Sequence, residues 1–389
     1  MLASLRVHVL HATFASIFGD IERVPMSLRR PAAHFQRIER SGQFSTLVEI
    51  TSTDGETGWG EAFGLPHPLM AASLIEHVVA PALVGVTLDD PVAATVDLRA
   101  YFAALGLLRG AAQEALSAVD IALWDLKARR AGQSLASLLG SSPGPVAAYV
   151  GSVPFLESPG ESAERASQFV FDGFTGIKLK VGRGPAVDAS HTAAVREAIG
   201  PGRELMLDAN AAYDETTAIA VARAVAPFGV AWFEEPLPPD DPAALARVRA
   251  ASPVPIATGE NEFTFDQFRR LAEAGAVDVL QPNITRAGGV SGMLAINELC
   301  AKYDLDLAPH GVGSAIGVAA AVHTCRAATR FRTYEANRLL NPLRDELAMT
   351  KLVFADGTFQ AANAPGHGAI PQPALLQRYA LATARHDDP

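Results

Sequence analysis

Cysteine is nearly absent from this chain, which has only Cys300 and Cys325 among 389 residues. Both fall in stretches with helical patterning, so we expect two buried thiols rather than a disulfide framework. Free thiols fit a reducing compartment, and we therefore expect a cytoplasmic location. No run of about 18 apolar residues occurs, and residues 1–10 lack the long apolar core of a signal peptide, so neither a membrane-spanning helix nor a leader is predicted.

An excess of positive charge is also absent, because 32 Lys and Arg stand against 42 Asp and Glu, for a formal net charge of -10. This balance argues against nucleic acid or an anionic membrane as the partner. It does not argue against a small anionic substrate, since the local charge of a pocket can oppose the global charge. The composition, 49% apolar and 19% charged, is that of an ordinary globular protein.

Two patterns divide the chain. Residues 45–51 and 56–63 are typical of strands joined by the Asp54-Gly55 turn, and a long helix is predicted at 111–130. From about residue 146, short apolar strands alternate with helical segments, which predicts βαβ units and a parallel sheet of the α/β class. We predict an α+β module at residues 1–140, a closed barrel at 141–348, and a C-terminal segment at 349–389 that packs back on the first module.

Polar residues stand at or just past the ends of the predicted barrel strands, which we place at 146–151, 176–180, 204–208, 231–235, 255–260, 277–283, 306–310 and 332–335. These strand-end residues, at gaps of 23 to 28 positions, are Lys180, Asp208, Glu234, Glu260, Asn283, His310 and Glu335. A parallel barrel collects the carboxyl ends of its strands on one face, where active sites are built. The spacing therefore predicts one pocket that holds carboxylates, lysines and a histidine.

The three acidic residues of this set predict a metal site. Asp208, Glu234 and Glu260 follow consecutive strands, and three neighbouring carboxylates must bind a cation or take up protons. Ligation by oxygen alone favours Mg²⁺. Any one of them alone would be taken for a solvated loop carboxylate, but their joint placement favours a metal centre.

Two lysines two positions apart predict a base. Lys178 and Lys180 lie on the same face of a strand, and if that face is the barrel interior, the two ammonium groups depress each other's pKa. A lysine brought towards neutrality can abstract a proton. In the alternative register both lysines point outward, and Ile177, Leu179 and Val181 point inward.

His310 and Glu335 complete the predicted pocket. His310 can donate or accept a proton on the side away from Lys180, although a lone histidine is more often structural. Glu335, when protonated, can hydrogen-bond a substrate carboxylate; the alternative is an ion pair with Arg338 or Arg344. Together these groups suit the removal of a proton α to a carboxylate, with a metal and cationic groups stabilising the resulting enediolate.

In these features the chain resembles the enolase superfamily, and within it the mandelate racemase-like proteins of the mandelate racemase/muconate lactonizing enzyme group. The matching stretches are Gly58-Trp59-Gly60-Glu61, Asp120 to Asp125, Lys178-Leu179-Lys180, Asp208-Ala209-Asn210, Trp232 to Pro236, Gly259-Glu260-Asn261, Gly288-Gly289 and Pro309-His310. The resemblance implies a modified (β/α)7β barrel under an α+β capping domain formed by both termini. It also implies one Mg²⁺ on Asp208, Glu234 and Glu260, with Lys180 as base, Lys178 tuning it and Glu335 as the electrophilic acid.

Residues 232–236 and 334–347 are most similar to members that act on sugar acids and sugar lactones, which include acid-sugar dehydratases and galactarolactone cycloisomerases.

One position departs from the pattern, because Asn283 stands where the subgroup has an aspartate next to the histidine. Asparagine cannot stabilise an imidazolium as a carboxylate does, so we expect His310 to favour its neutral form. This weakens the case for a racemase. It favours a dehydratase as the first candidate and a cycloisomerase as the second; a metal-binding barrel without catalysis is the remote alternative.

The capping loops near residues 18–30 and 61–68 are expected to cover the pocket and set substrate choice. Candidate substrate-binding or supporting residues are Arg29, Arg30, His34, Glu61, His67, Asn210 and Asn283. The resemblance further implies a small-molecule carboxylate as substrate and a homo-oligomer, from dimer to octamer.

Overall fold

An antiparallel sheet covered by helices forms the N-terminal part of the computed structural model, which describes residues 1–87 and 90–387. The sheet has the order β14-β1-β2-β3. Its strands are β1 (Leu2–Thr13), β2 (Gly42–Ser52), β3 (Thr57–Ala62) and β14 (Ala380–Asp387). The helices are α1 (Phe14–Phe18), α2 (Met26–Arg29), α3 (Leu69–Leu74), α4 (Ala80–Leu83), α5 (Pro91–Ala104), α6 (Ala111–Arg130) and α7 (Leu135–Leu138). The hairpin predicted at Asp54-Gly55 and the long helix at 111–130 are confirmed.

Two glycines let β3 lie directly on α6. A Cβ atom at Gly58 would collide with the carbonyl oxygen of Ala122, and one at Gly60 would collide with that of Ala118. Backbone therefore packs on backbone, and this close contact fixes the position of the capping sheet over its long helix.

A closed parallel barrel follows. Its strands are β4 (Pro145–Val153), β5 (Gly176–Lys180), β6 (Glu204–Asp208), β7 (Val230–Glu234), β8 (Ile256–Thr258), β9 (Val279–Leu280), β10 (Asp306–Leu307) and β11 (Tyr334–Asn337). The helices between them are α8 (Pro159–Phe171), α9 (Pro185–Ile199), α10 (Glu215–Val225), α11 (Pro242–Ala251), α12 (Phe265–Glu273), α13 (Gly289–Tyr303) and α14 (Ala315–Ala327). Successive strands pair in parallel, β11 pairs with β4, and a bridge from Leu307 to Phe331 closes the ring. The predicted (β/α)7β barrel is confirmed.

The sequence overestimates the later strands. The run predicted at 277–283 forms a strand only at β9, and the run at 306–310 only at β10. Pro282 and Pro309 carry no N–H group and therefore interrupt the regular ladder. The two segments remain joined beyond the strands, because the N–H of His310 donates to the carbonyl of Pro282 at 3.2 Å, and His310 lines the cavity at the mouth of the barrel.

The C-terminal segment contacts both parts of the molecule. After α15 (Pro342–Asp345), strands β12 (Phe354–Ala355) and β13 (Thr358–Gln360) form a hairpin whose second strand pairs antiparallel with β4. Helix α16 (Pro373–Tyr379) then leads into β14, which pairs with β1 in the capping sheet. Within the described ranges, no helix has both the length and the hydropathy required to cross a bilayer.

Candidate active site

The strand register sets the site. Lys180 is the direct neighbour of Asp208, and Asp208 of Glu234, across three adjacent strands. Lys178 is fully buried inside the barrel, above an inner layer that includes Tyr149, Met206 and Trp232. Ile177 and Leu179 pack outward, in the core between strands and helices. The inward register of the two lysines is therefore the one that occurs.

Three carboxylates converge at the mouth of the barrel. One oxygen from each of Asp208, Glu234 and Glu260 lies within 4.8 Å of the others. Gln281 holds Glu234 by donating from Nε2 to Oε2 at 2.7 Å, whereas Oε2 of Glu260 is buried without a hydrogen-bond partner. A buried orphan oxygen beside two other carboxylates is the environment that a hard cation satisfies, and the all-oxygen donor set fits Mg²⁺.

Both lysines contact these carboxylates. Nζ of Lys178 lies 2.7 Å from Glu234, 3.2 Å from Asp208 and 3.2 Å from Glu335. Nζ of Lys180 lies 2.5 Å from Oδ2 of Asp208 and 2.7 Å from Oδ1 of Asn210. The lysines thus balance part of the negative charge, and Asn210 fixes the direction of Lys180.

The expected depression of the lysine pKa values is wrong for this arrangement. Burial lowers the pKa of Lys180, and Lys178 lowers it further, but Asp208 and Glu260 raise it by more. The pKa of Lys178 is likewise raised, since Glu234 and Glu335 outweigh its burial. Burial would raise the pKa of Asp208, but the two lysines hold it below its usual range. The acidic neighbours, which the spacing of two lysines does not reveal, decide the sign.

Asn283 fixes the tautomer of His310. Its Oδ1 accepts from the backbone N–H of Thr285 at 2.8 Å and from Oγ1 of the same residue at 2.6 Å, while Nδ2 donates to the carbonyl of Val312 at 3.1 Å. A flipped amide would oppose donor to donor and acceptor to acceptor at these backbone groups. Nδ2 therefore also donates to Nδ1 of His310, at 2.8 Å. Because Nδ1 accepts, neutral His310 carries its proton on Nε2.

Nε2 of His310 contacts two carboxylates. It lies 3.1 Å from Oε2 of Glu260 and 3.8 Å from Oε2 of Glu335, although neither oxygen accepts a hydrogen bond. Burial would raise the pKa of Glu335, but its cationic neighbours, of which Lys178 at 3.2 Å has the largest effect, hold it below its usual range. The ion-pair partner of Glu335 is Lys178, and not Arg338 or Arg344. The expected role of Glu335 as a protonated acid stays a prediction.

Three residues of this rim have left-handed backbone. Asn210 and Glu235, each just past a carboxylate of the triad, both have φ of 43°, and Ala211 has φ of 62°. Such strain in non-glycine residues concentrates at functional sites. Glu235 is buried and accepts from Nδ2 of Asn261 at 2.9 and 3.1 Å. Burial raises the pKa of Glu235, and Glu260 raises it further. The doubled glutamate at 234–235 was the sequence signal for this residue.

A cavity of about 570 Å³ opens above the triad, between the barrel and the capping region. His34 and His67 line it, as expected of capping residues, together with Lys180, Glu260 and His310. Further lining residues that the sequence analysis did not single out are Phe35, Arg40, Gln43, Phe44, Phe63, Arg286, Asn337 and Asn341.

Four of the candidate substrate-binding or supporting residues do not line the cavity, namely Arg29, Arg30, Glu61 and Asn283. Arg29 and Arg30 both pair with Glu39, so the structure does not support either of them as a substrate contact. Glu61 is fully buried and accepts from Ser45 at 2.8 Å and from the backbone N–H groups of Ser314 and Gly317 at 2.7 Å. It therefore stabilises the first turn of α14 and joins the capping sheet to the barrel.

Comparison with known proteins agrees with this architecture. A family model for the mandelate racemase/muconate lactonizing enzyme N-terminal domain matches residues 21–140, and a model described as enolase C-terminal domain-like matches residues 161–375. The D-galactarolactone cycloisomerase of Agrobacterium fabrum is 35% identical over 357 residues, which are 88% of this chain and 92% of that protein.

Solved structures are similar over nearly the whole length. The 3,6-anhydro-D-galactonate cycloisomerase from Zobellia galactanivorans has a TM-score of 0.85 and 30% identity, with 97% of this chain and 99% of that one covered. L-Talarate dehydratase from Polaromonas sp. JS666, solved with Mg and L-glucarate, has a TM-score of 0.83 and 28% identity, with 100% and 99% covered.

Proposed function

The chain belongs to the mandelate racemase/muconate lactonizing enzyme family of the enolase superfamily, and on that basis we propose that it is a magnesium-dependent enzyme that opens the ring of a sugar-acid lactone by β-elimination. The observation that carries the proposal is the constellation of Lys180, the carboxylate triad and the Nε2–H group of His310 around one cavity. Dehydration of an open-chain sugar acid, which the sequence favours, is the second candidate.

Asp208, Glu234 and Glu260 are the residues that would hold Mg²⁺. A bound ion would supply positive charge that stabilises a substrate carboxylate gaining negative charge. It would also offset Asp208 and Glu260, the carboxylates that raise the pKa of Lys180. Gln281 and Lys178 keep Glu234 in place from two sides.

Lys180 is the proposed base. Its Nζ is held by Asp208 and Asn210 at the cavity wall, within reach of a substrate carbon. It takes the proton α to the substrate carboxylate, and the electrons of the broken C–H bond form an α,β double bond while the β C–O bond breaks. The resulting enol then tautomerises to a 2-keto-3-deoxy acid.

The leaving group distinguishes the two candidates. A hydroxyl must take a full proton to leave as water, whereas the ring oxygen of a lactone leaves as part of a carboxylate and needs only a hydrogen bond. Neutral His310 offers a hydrogen bond from Nε2, but a second proton on Nδ1 would face the Nδ2 donor of Asn283. This donor geometry favours lactone opening over dehydration, and it disfavours a racemase that needs His310 as a charged acid.

We further propose a reducing, cytoplasmic location, which the two free buried thiols support, and a homo-oligomeric state typical of such enzymes. The substrate in this proposal is a small sugar carboxylate.

The test uses freshly prepared sugar-acid lactones and the matching open-chain acids, each incubated with the Mg²⁺-loaded protein in D₂O. Lactone opening gives a keto acid isomeric with the lactone, apart from incorporated deuterium, and dehydration gives a keto acid lighter than its acid by one water. Lys180→Gln is expected to lose activity by about 10²- to 10⁴-fold while retaining the fold. Turnover of open-chain acids alone would replace the first candidate by the second. Absence of α-proton exchange with every acid and lactone would leave a metal-binding barrel without catalysis.

A further inference from the structure

Arg40 is a cation on the cavity wall without a balancing carboxylate. It lines the cavity, Nη2 donates to Oε1 of Gln43 at 2.6 Å, and Nε is buried without a hydrogen-bond partner. Among residues 1–87 and 90–387, no Asp or Glu forms an ion pair with it. Burial lowers the pKa of Arg40 to about 10. The residue is partly buried, and a partly desolvated cation without an acidic partner is a favourable site for an anion.

The neighbouring arginines differ in this respect. Arg286 also lines the cavity but pairs with Glu114 at 3.1 Å, and Arg344 pairs with Asp345 at 2.8 Å. Arg29 and Arg30 share Glu39. Of the three arginines that line the cavity, Arg286 and Arg344 therefore have acidic partners and Arg40, within the described part of the chain, does not. Arg37, in the same loop, likewise forms no ion pair with a described residue, but it is exposed and does not line the cavity.

Arg40 is held in place by uncharged groups. Its guanidinium lies 5.9 Å from the ring centre of Phe14 and 5.5 Å from that of Phe35. Gln43 donates from Nε2 to the carbonyl of Leu340 at 2.6 Å, which turns Oε1 towards Arg40. The position is thus preorganised while the positive charge stays uncompensated.

One cavity is lined by Lys180 and Glu260 at the mouth of the barrel and by His34 and Arg40 of the capping region. A substrate whose reacting carboxylate lies at the triad therefore extends towards Arg40 with its far end.

We propose that Arg40 binds the far end of the substrate, where a sugar diacid carries its second carboxylate and a monolactone carries the carbonyl that becomes a carboxylate, so that the preferred substrates are sugar diacids and their monolactones. This inference rests on the proposed function, because it takes the reacting end to be at the triad. It also suits ring opening, since the lactone carbonyl becomes a second carboxylate as the ring oxygen leaves.

The test measures binding to the Mg²⁺-loaded, Lys180→Gln protein by calorimetry, so that no turnover interferes. The probes are galactarate, galactonate and 6-phosphogalactonate, which carry at C6 a carboxylate, a hydroxyl and a phosphate. We expect galactarate to bind more tightly than galactonate by about tenfold or more, the range of a hydrogen bond to a charged group. Adding Arg40→Gln should abolish this difference, and Arg40→Lys should retain part of it.

Arg30→Gln is the matched control, because it removes a guanidinium of the same loop that is already paired with Glu39 and does not line the cavity. It should leave the preference unchanged. If Arg40→Gln weakens the binding of galactarate and of galactonate equally, Arg40 is a structural residue. If 6-phosphogalactonate binds more tightly than galactarate, the second anion is a phosphate. Either result overturns the proposal, as does failure of all three probes to bind. Arg40-dependent binding of galactarate without any α-proton exchange by the wild-type protein would instead remove the proposed function alone.

Discussion

Asn283 meets Nδ1 of His310 with a hydrogen-bond donor, at 2.8 Å, and not with a carboxylate. The direction of that donor is imposed by the backbone, because Thr285 N–H donates to Oδ1 of the amide and the Val312 carbonyl accepts from its Nδ2. The single substitution noticed in the sequence therefore does more than remove a charge. It fixes the proton of neutral His310 on the nitrogen that faces the cavity.

Asn283→Asp should reverse this arrangement. A carboxylate at this position accepts a proton from Nδ1, so the imidazolium form becomes accessible and dehydration of open-chain acids should gain relative to lactone opening. Nitrogen-15 NMR of labelled histidine reports the tautomer directly. In the wild-type protein the neutral ring should be protonated at Nε2, and a proton found on Nδ1 above neutral pH would refute the assignment.

Removal of one triad carboxylate should weaken Mg²⁺ binding. Glu260→Gln keeps the shape of the side chain but removes a charged ligand, so we expect the affinity to fall by more than about tenfold in a calorimetric titration. Glu235→Gln is the matched control, since Glu235 lies beside the triad but its oxygens are engaged by Asn261. Comparable losses in both variants would show that the ion is not held by the predicted three residues.

His323 should make the protein sensitive to acid. It is fully buried, its Nδ1 accepts from the backbone N–H of Ala136 at 3.2 Å, and burial, with a contribution from His367, lowers its pKa to about 4. Below pH 6.5 the unfolded chain binds a proton at this residue and the folded chain does not, so the free energy of unfolding falls as the pH drops towards 4, by about 3 kcal/mol in total.

The measurement is urea unfolding between pH 8 and pH 4. The glutamine of His323→Gln is neutral throughout, so this variant should lose less stability than wild type on acidification. At pH 8 it should be less stable than wild type, because a fully buried side chain has been replaced. Parallel pH profiles of the two proteins would exclude His323 as the source of the effect.

Gly60→Ala should destabilise the capping region. The added methyl group collides with the carbonyl oxygen of Ala118 in α6, and overpacking of this kind costs about 1–3 kcal/mol. Gly202→Ala is the control, because its Cβ would meet no atom within 4 Å and should leave stability unchanged or raise it by up to about 1 kcal/mol. Thermal unfolding of the two variants compares them, and an equal response would contradict the close packing of β3 on α6.

The strand-end residues were predictable because their information is local and periodic. Each of Asp208, Glu234 and Glu260 follows its own apolar run, and parallel strands of a barrel end on one face whatever the details of the loops. Strand lengths were less predictable, as Pro282 and Pro309 show, because an apolar run does not reveal where pairing stops. The position of Arg40 at the cavity was not predictable, since no sequence pattern marks it and a single arginine in a loop is usually a solvated surface residue.

The sequence by itself determined the barrel, the capping hairpin and the identity of the groups that face one another at the mouth of the barrel. The tertiary structure alone decided their charge and their partners. It set the raised pKa of Lys180, the pairing of Glu335 with Lys178, the tautomer of His310, the pairing of Arg29 with Glu39 and, among the described residues, the absence of an acidic partner for Arg40. The physical reason is that periodicity is carried by neighbours in the chain, whereas charge and proton position depend on burial and on atoms a few ångströms away that come from distant strands.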